Sequence, residues 1–200
     1  MSNVSHIEAV NTTGAALQMF GWLAPCSKPL KAYDKNGIVL HIGSMSKVIS
    51  PGLRIGWIVG PEPVIQRLSD IKMQTDYGSS SISQQIAAEW FTNGLYDEHL
   101  RFVRSELKKR RDFMLLMLDK YLREIATWHE PTGGFYIWVH IKVPISYRSL
   151  FDKALREKVL LNPGTLYDRS ANQFLRLSYS YATLEEIEIG IEKLAQLMKK

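Results

Sequence analysis

Lys47 follows Gly43-Ser44-Met45-Ser46, a loop of small residues placed just after the apolar run Ile38 to Ile42. A surface lysine needs no such surroundings. A lysine that attacks a carbonyl does, because its amine must be partly desolvated and its pKa lowered, often by a second cation. Arg54 stands seven residues further on, at the mouth of the apolar run Ile55 to Val59. The planar fork of Arg54 and the hydroxyls of Ser44 and Ser46 suit the oxygens of a phosphate dianion. Amine, hydroxyls and guanidinium together match an aldehyde cofactor with a phosphate tail. Each residue also has a plainer reading: Lys47 as a loop lysine, the serines as turn or cap residues, and Arg54 as a structural ion-pair partner.

The same four residues offer a competing chemistry. Ser44-Met45-Ser46-Lys47 satisfies S-x-x-K, the motif of serine acyl-enzymes. Those enzymes also need S-D-N and K-T-G, and neither tripeptide occurs in the chain.

The elements that must position these residues are set by periodicity. Ile38 to Ile42, bounded by Asn36-Gly37 and Gly43, predicts a buried strand, and Ile55 to Val59 a second, in the manner of a parallel sheet. Pro61-Glu62-Pro63 suits the first turn of a helix burying Val64, Ile65, Leu68 and Ile71. Further helices are expected over Ser83 to Thr92 and from Asp97 to about Leu122. Pro131-Thr132-Gly133-Gly134 predicts a turn, and Phe135 to Ile141 alternates as a strand. A helix near Ser149 to Lys158, a short strand Val159 to Leu161 and a strand Phe174 to Tyr179 come next. Thr183-Leu184-Glu185-Glu186 has the capping-box pattern that opens a last helix, with Leu184, Ile187, Ile191, Leu194 and Met198 on its apolar side. This order predicts α/β strands up to residues 95–100 and a smaller α+β domain after them. The opening stretch has no clear period; a loose arm or a helix from Ala15 to Leu23 would both fit it.

Composition narrows the class. An apolar content of 46% with 22% charged residues is that of a soluble globular chain. Cys26 stands alone, so no intramolecular disulfide forms, which suits a reducing, cytoplasmic compartment. The apolar stretch Gly14 to Pro25 is short for a membrane span and lacks the basic segment of a secretory signal. The net charge of +5 raises the question of nucleic acid. Its densest run, Lys108 to Arg111, falls mostly on the solvated side of an amphipathic helix with Leu100, Val103, Leu107, Met114, Leu118 and Tyr121 opposite. No specific nucleic-acid binding is expected of this chain, and no metal cluster.

The lysine segment, His41 to Lys47 followed by Ser50-Pro51-Gly52-Leu53-Arg54-Ile55-Gly56-Trp57, closely resembles the cofactor-lysine segment of class I/II aminotransferases of fold type I. Pro131 to Trp138 looks like that family's glycine pair entering the small-domain sheet, and Phe174 to Tyr179 like the strand whose arginine grips the substrate. Pro29-Leu30-Lys31-Ala32 and the pattern from Arg176 to Leu197 look most like the aminotransferase-like domain of MocR/GntR-type regulators and the 2-aminoadipate aminotransferases. The resemblance covers roughly residues 29 to 200 and implies a partial PLP-binding large domain over 29–96 and a small domain over 97–200, with residues 1–28 unassigned. It implies pyridoxal 5'-phosphate as cofactor, with Lys47 bonding it and shuttling the α-proton, and Ser44, Ser46 and Arg54 on its phosphate. Arg176 would hold the carboxylate of an amino acid or 2-oxo acid. A strand-face arginine that snorkels to solvent is the plainer reading of that residue.

Members of that family are about twice as long, and the half without a counterpart carries a ring-stacking aromatic and the carboxylate that protonates the pyridine nitrogen. The resemblance therefore implies a form truncated at its N-terminal side that transaminates poorly alone and forms a homodimer. The alternative is the cofactor- and effector-sensing domain of a MocR-type regulator, without a DNA-binding part.

Overall fold

The computed structural model describes residues 9–11 and 28–199. The chain divides into two compact units, Met1–Arg104 and Ser105–Lys200. The helix expected from Ala15 to Leu23 lies outside the described residues.

The first unit is built on a three-stranded sheet. Strand β1 (Ala9–Asn11) pairs in parallel with β2 (Val39–Ser44), and β2 pairs with β3 (Gly56–Val59). The β2–β3 pair is antiparallel, with His41 opposite Val59 and Ser44 opposite Gly56. This corrects the expectation of a parallel pair. Residues 45–55 fold straight back on the sheet instead of crossing over it, as parallel strands would require.

Entry into β2 is fixed by Asp34. Its carboxylate accepts from Lys31 Nζ at 2.8 Å and from the backbone N–H groups of Asn36, Ile38 and Val39 at 3.1–3.2 Å. Helices α1 (Glu62–Thr75) and α2 (Ser81–Thr92) come after β3, the second capped by Ser80 Oγ accepting from Ser83 N–H at 3.3 Å. The face expected to be buried on α1 is not. Val64, Ile65 and Leu68 are only half-buried, and Ile71 is exposed.

Helix α3 (Leu95–Leu122) runs across the boundary into the second unit. There an antiparallel sheet is ordered β4-β5-β6, from β4 (Ala126–Trp128), β5 (Tyr136–Ile141) and β6 (Phe174–Ser178). Helices α4 (Tyr147–Arg156) and α5 (Leu184–Met198) complete it. Alternation divides the sheet faces as a pleat requires. Ile137, Val139, Ile141, Leu175 and Leu177 are buried, as are Met114 and Leu118 of α3, Leu150 of α4 and Ile187 and Ile191 of α5. The opposite face carries Tyr136, Trp138, His140, Phe174 and Arg176, none of them fully buried.

Two expectations need correcting here. Val159 to Leu161 is not a strand: the N–H of Val159 donates back to Ala154 O of α4 at 2.8 Å. The segment after it meets the sheet through Asn162, whose carbonyl accepts Arg176 N–H at 2.9 Å, and a bridge from Pro163 to Leu175. Arg111, expected with its basic neighbours near the solvated side, is buried at 3% exposure. It pairs with Glu130 and Asp112 and donates to Pro131 O at 3.0 Å, which pins the turn leading into β5.

Candidate functional site

The loop carrying Lys47 is held from beneath by its own apolar residues. Met45 and Val48 are 1% and 4% exposed. Burial of side chains this size stabilises by about 1.5–3 kcal/mol each, more than the one or two net hydrogen bonds of a surface turn. Met45 N–H donates to Ile55 O at 3.0 Å, and Ile49 N–H to Met45 O at 2.9 Å, closing a tight turn over residues 45–49. His99 of α3 adds a third support, its Nε2 lying 2.9 Å from Val48 O and its ring edge-on to Trp90 at 5.3 Å. Gly43 is required at the start of this loop. A Cβ there would lie 2.1 Å from the ring of Trp57, its cross-strand partner.

With the apolar residues inward, the polar ones face out. Ser44, Lys47 and Arg54 are exposed and Ser46 half-buried. Ser44 Oγ accepts Ser46 N–H at 3.2 Å, so this serine does turn the loop, while its own hydroxyl proton stays available to donate. Arg54 has φ +56°, a left-handed conformation that costs a non-glycine residue roughly 1–3 kcal/mol. Its guanidinium makes one long contact, 3.3 Å to Pro51 O, and no ion pair with a described residue. Lys47 is likewise without an ion pair among the described residues. Amine, hydroxyls and guanidinium thus leave one connection between two strands with donors to spare, a set that fits an aldehyde and a phosphate. Among the described residues no cluster of ligating side chains suits a metal ion.

His41 of β2 is half-buried, and its Nδ1 has no hydrogen-bond partner among the described residues.

Arg176 lies in the second unit, on the aromatic face of the sheet. It stands opposite Trp138 in the β5–β6 register. Its Cζ is 4.0 Å from the centre of the Tyr136 ring and 4.1 Å from that of Tyr167. Its Nε is buried with no hydrogen-bond partner among the described residues, and no described carboxylate pairs with it. Tyr179, the next residue but two along the chain, is fully buried and its hydroxyl donates to Gly133 O at 3.3 Å. Burial pushes that hydroxyl well above its ordinary pKa, so it stays a neutral donor.

Tyr136, Tyr167, His99 and Met45 are not among the residues that the sequence singles out. The available signal was the period of two, which sets Tyr136 and Trp138 on the face that Arg176 shares.

The chain matches the family described as aminotransferase class I and II over residues 18–194, and it belongs to that family. Among solved structures, a kynurenine aminotransferase of Pyrococcus horikoshii, crystallised with PMP, superposes with a TM-score of 0.84 at 30% identity. The match covers 91% of this chain and 46% of that one. LysN, an α-aminoadipate aminotransferase of Thermus thermophilus complexed with N-(5'-phosphopyridoxyl)-L-leucine, gives 0.82 at 27% identity, covering 92% and 48%. Sequence relatives include YdfD of Bacillus subtilis, an uncharacterized HTH-type transcriptional regulator, 56% identical over 172 residues. That match takes in 86% of this chain and 36% of the relative. The chain therefore spans about half the length of the aminotransferases and just over a third of the regulator. The fold is that of part of a fold type I aminotransferase.

Proposed function

We propose that the chain binds pyridoxal 5'-phosphate and an α-amino acid, and that the two serve amino-group transfer to a 2-oxo acid. The observation that carries this reading is the Lys47 loop, braced at Met45, Val48 and His99 with its polar side chains outward. When bound, that cofactor supplies an electron sink for the bonds at the amino acid's α-carbon. Lys47 would hold the cofactor by its aldehyde, with loss of water, and its amine would move the α-proton. Arg54 and the hydroxyls of Ser44 and Ser46 hold the phosphate. Arg176 takes the α-carboxylate through paired N–H donors. By this reading 29–96 is the cofactor part and 97–200 the substrate part. A single cysteine, Cys26, suits action in the reducing cytoplasm.

A second reading of the same residues is an effector sensor, as in a MocR-type regulator. Identity of 56% to an HTH-type regulator, against 30% to the aminotransferase, favours it. Both readings need cofactor and amino acid to bind; only the first needs repeated turnover.

The test monitors the visible absorbance of the cofactor on the chain during titration with a panel of amino acids, with and without a 2-oxo acid. Repeated turnover supports the enzyme, and a saturable change without turnover the sensor. No response to any amino acid would contradict both. Arg176→Leu should weaken amino-acid binding by about 2–5 kcal/mol, the cost of truncating a buried charge-assisted pair, with cofactor binding nearly unchanged. Equal loss of both would make Arg176 structural. Apolar residues left exposed on the first unit, among them Ile58, Val59 and Ile82, favour a homodimer, which sedimentation would reveal.

A further inference from the structure

We infer that Tyr136 and Tyr167 are positioning residues that clamp the guanidinium of Arg176, so that a carboxylate meets it side-on at the Nε–Nη edge. This rests on the reading that Arg176 takes the α-carboxylate.

An arginine that merely snorkels from a strand sends its charged head to water. Arg176 is half-buried instead. Its head lies against two rings at 4.0 and 4.1 Å, and its Nε is buried without a partner among the described residues. A buried donor left unpaired is costly unless something arrives to satisfy it. Cζ lies over each ring, where a cation meets π electrons. The N–H groups lie in the guanidinium's own plane. A carboxylate approaching there can accept from Nε and one Nη together, the two-pronged geometry that arginine offers.

The clamp is itself built into the loop before β6. Tyr167 closes a 3-10 turn over Gly164–Leu166, its N–H donating to Gly164 O at 2.8 Å. Gly164 sits so close to β6 that a Cβ there would meet Ala171 O at 2.6 Å and Phe174 Cβ at 2.8 Å. The ring of Trp138 stacks on Phe174 at 5.5 Å and meets Tyr167 edge-on at 6.0 Å. Tyr136 comes from β5, where it shares the face of Arg176. Neither tyrosine hydroxyl takes part in the contact with Arg176, so the rings carry the effect.

That last point gives the experiment. The chain is labelled with 15N-arginine, and the Nε–H signal of Arg176 is identified by its loss in Arg176→Lys. Without ligand, this proton should exchange slowly in the wild type and in Tyr136→Phe and Tyr167→Phe. In Tyr136→Leu and Tyr167→Leu it should exchange faster by roughly 2- to 30-fold, the range expected for loss of one cation–π contact. Gly164→Ala leaves both rings in the chain but displaces Tyr167, and should reproduce Tyr167→Leu. It also serves as the second variant if a leucine substitution fails to fold. Titration with 4-methyl-2-oxopentanoate should then shift the wild-type signal, with affinity lowered in the leucine variants and kept in the phenylalanine ones. Equal exchange in wild type and leucine variants, or phenylalanine variants that behave like leucine ones, would overturn the clamp. A Phe–Leu contrast with no response to the oxo acid would support the clamp and remove the carboxylate reading instead.

Discussion

Lys47, Ser44, Ser46 and Arg54 could be singled out from the sequence because cofactor chemistry demands unlike side chains close together, and here one connection supplies them all. Arg176 needed a resemblance, since nothing local distinguishes an arginine on a strand from any other. Tyr167 carried no signal at all; it comes from a loop without periodicity, and only the turn at Gly164 brings it to β6. Asp34 was equally silent, yet it organises the entry to β2. The hydrogen bond from Lys31 lowers its pKa most, the N–H groups of Val39, Ile38 and Asn36 lower it further, and desolvation opposes them. A carboxyl held below its unfolded value of about 3.9 contributes stability that is fully present above that value. That contribution is lost as pH falls through the folded value. Acid titration of unfolding should therefore show wild type and Asp34→Asn separated at pH 7 and converging from about pH 4 downward. Parallel curves across that range would show that Asp34 is not held in this way.

Helices were legible where capping chemistry and period agreed. Thr183 caps α5 as the pattern predicted: its Oγ accepts Glu186 N–H at 3.2 Å, and Glu186 accepts Thr183 N–H at 2.8 Å. Thr183→Ala should cost about 0.5–2 kcal/mol, read as a lower midpoint in urea with an unchanged slope. No change in midpoint would show that burial of Ile187, Ile191 and Leu194 alone holds the helix. Strand pairing was less legible. The apolar runs at Ile38 and Ile55 look alike whichever way they pair, and direction was decided by the tight connection over residues 45–55. The three residues of β4 were too few to show a period. The apolar run Val159 to Leu161 suggested a strand, but the N–H of Val159 is taken by Ala154 O of α4 at 2.8 Å. On α1 the 3.6-residue period was present, but Val64, Ile65 and Leu68 are only half covered. A helical period marks the side a helix offers for burial, and the partner must be found elsewhere.

At the scale of the molecule, membership of the aminotransferase class I and II family explains why polar side chains stand outward on a braced loop in one unit and an unpaired arginine stands among aromatics in the other. Enzyme and sensor share these parts and differ in the events after binding: turnover in one, a held complex in the other. The claim common to both is that Lys47 bonds the cofactor, and one measurement addresses it directly. The chain is incubated with pyridoxal 5'-phosphate, reduced with borohydride and mapped by peptide mass. The label should fall on the peptide containing Lys47 and vanish from it in Lys47→Ala, with no compensating gain elsewhere. Label spread evenly over surface lysines such as Lys72, Lys108 and Lys120, or total labelling unchanged by Lys47→Ala, would contradict the account.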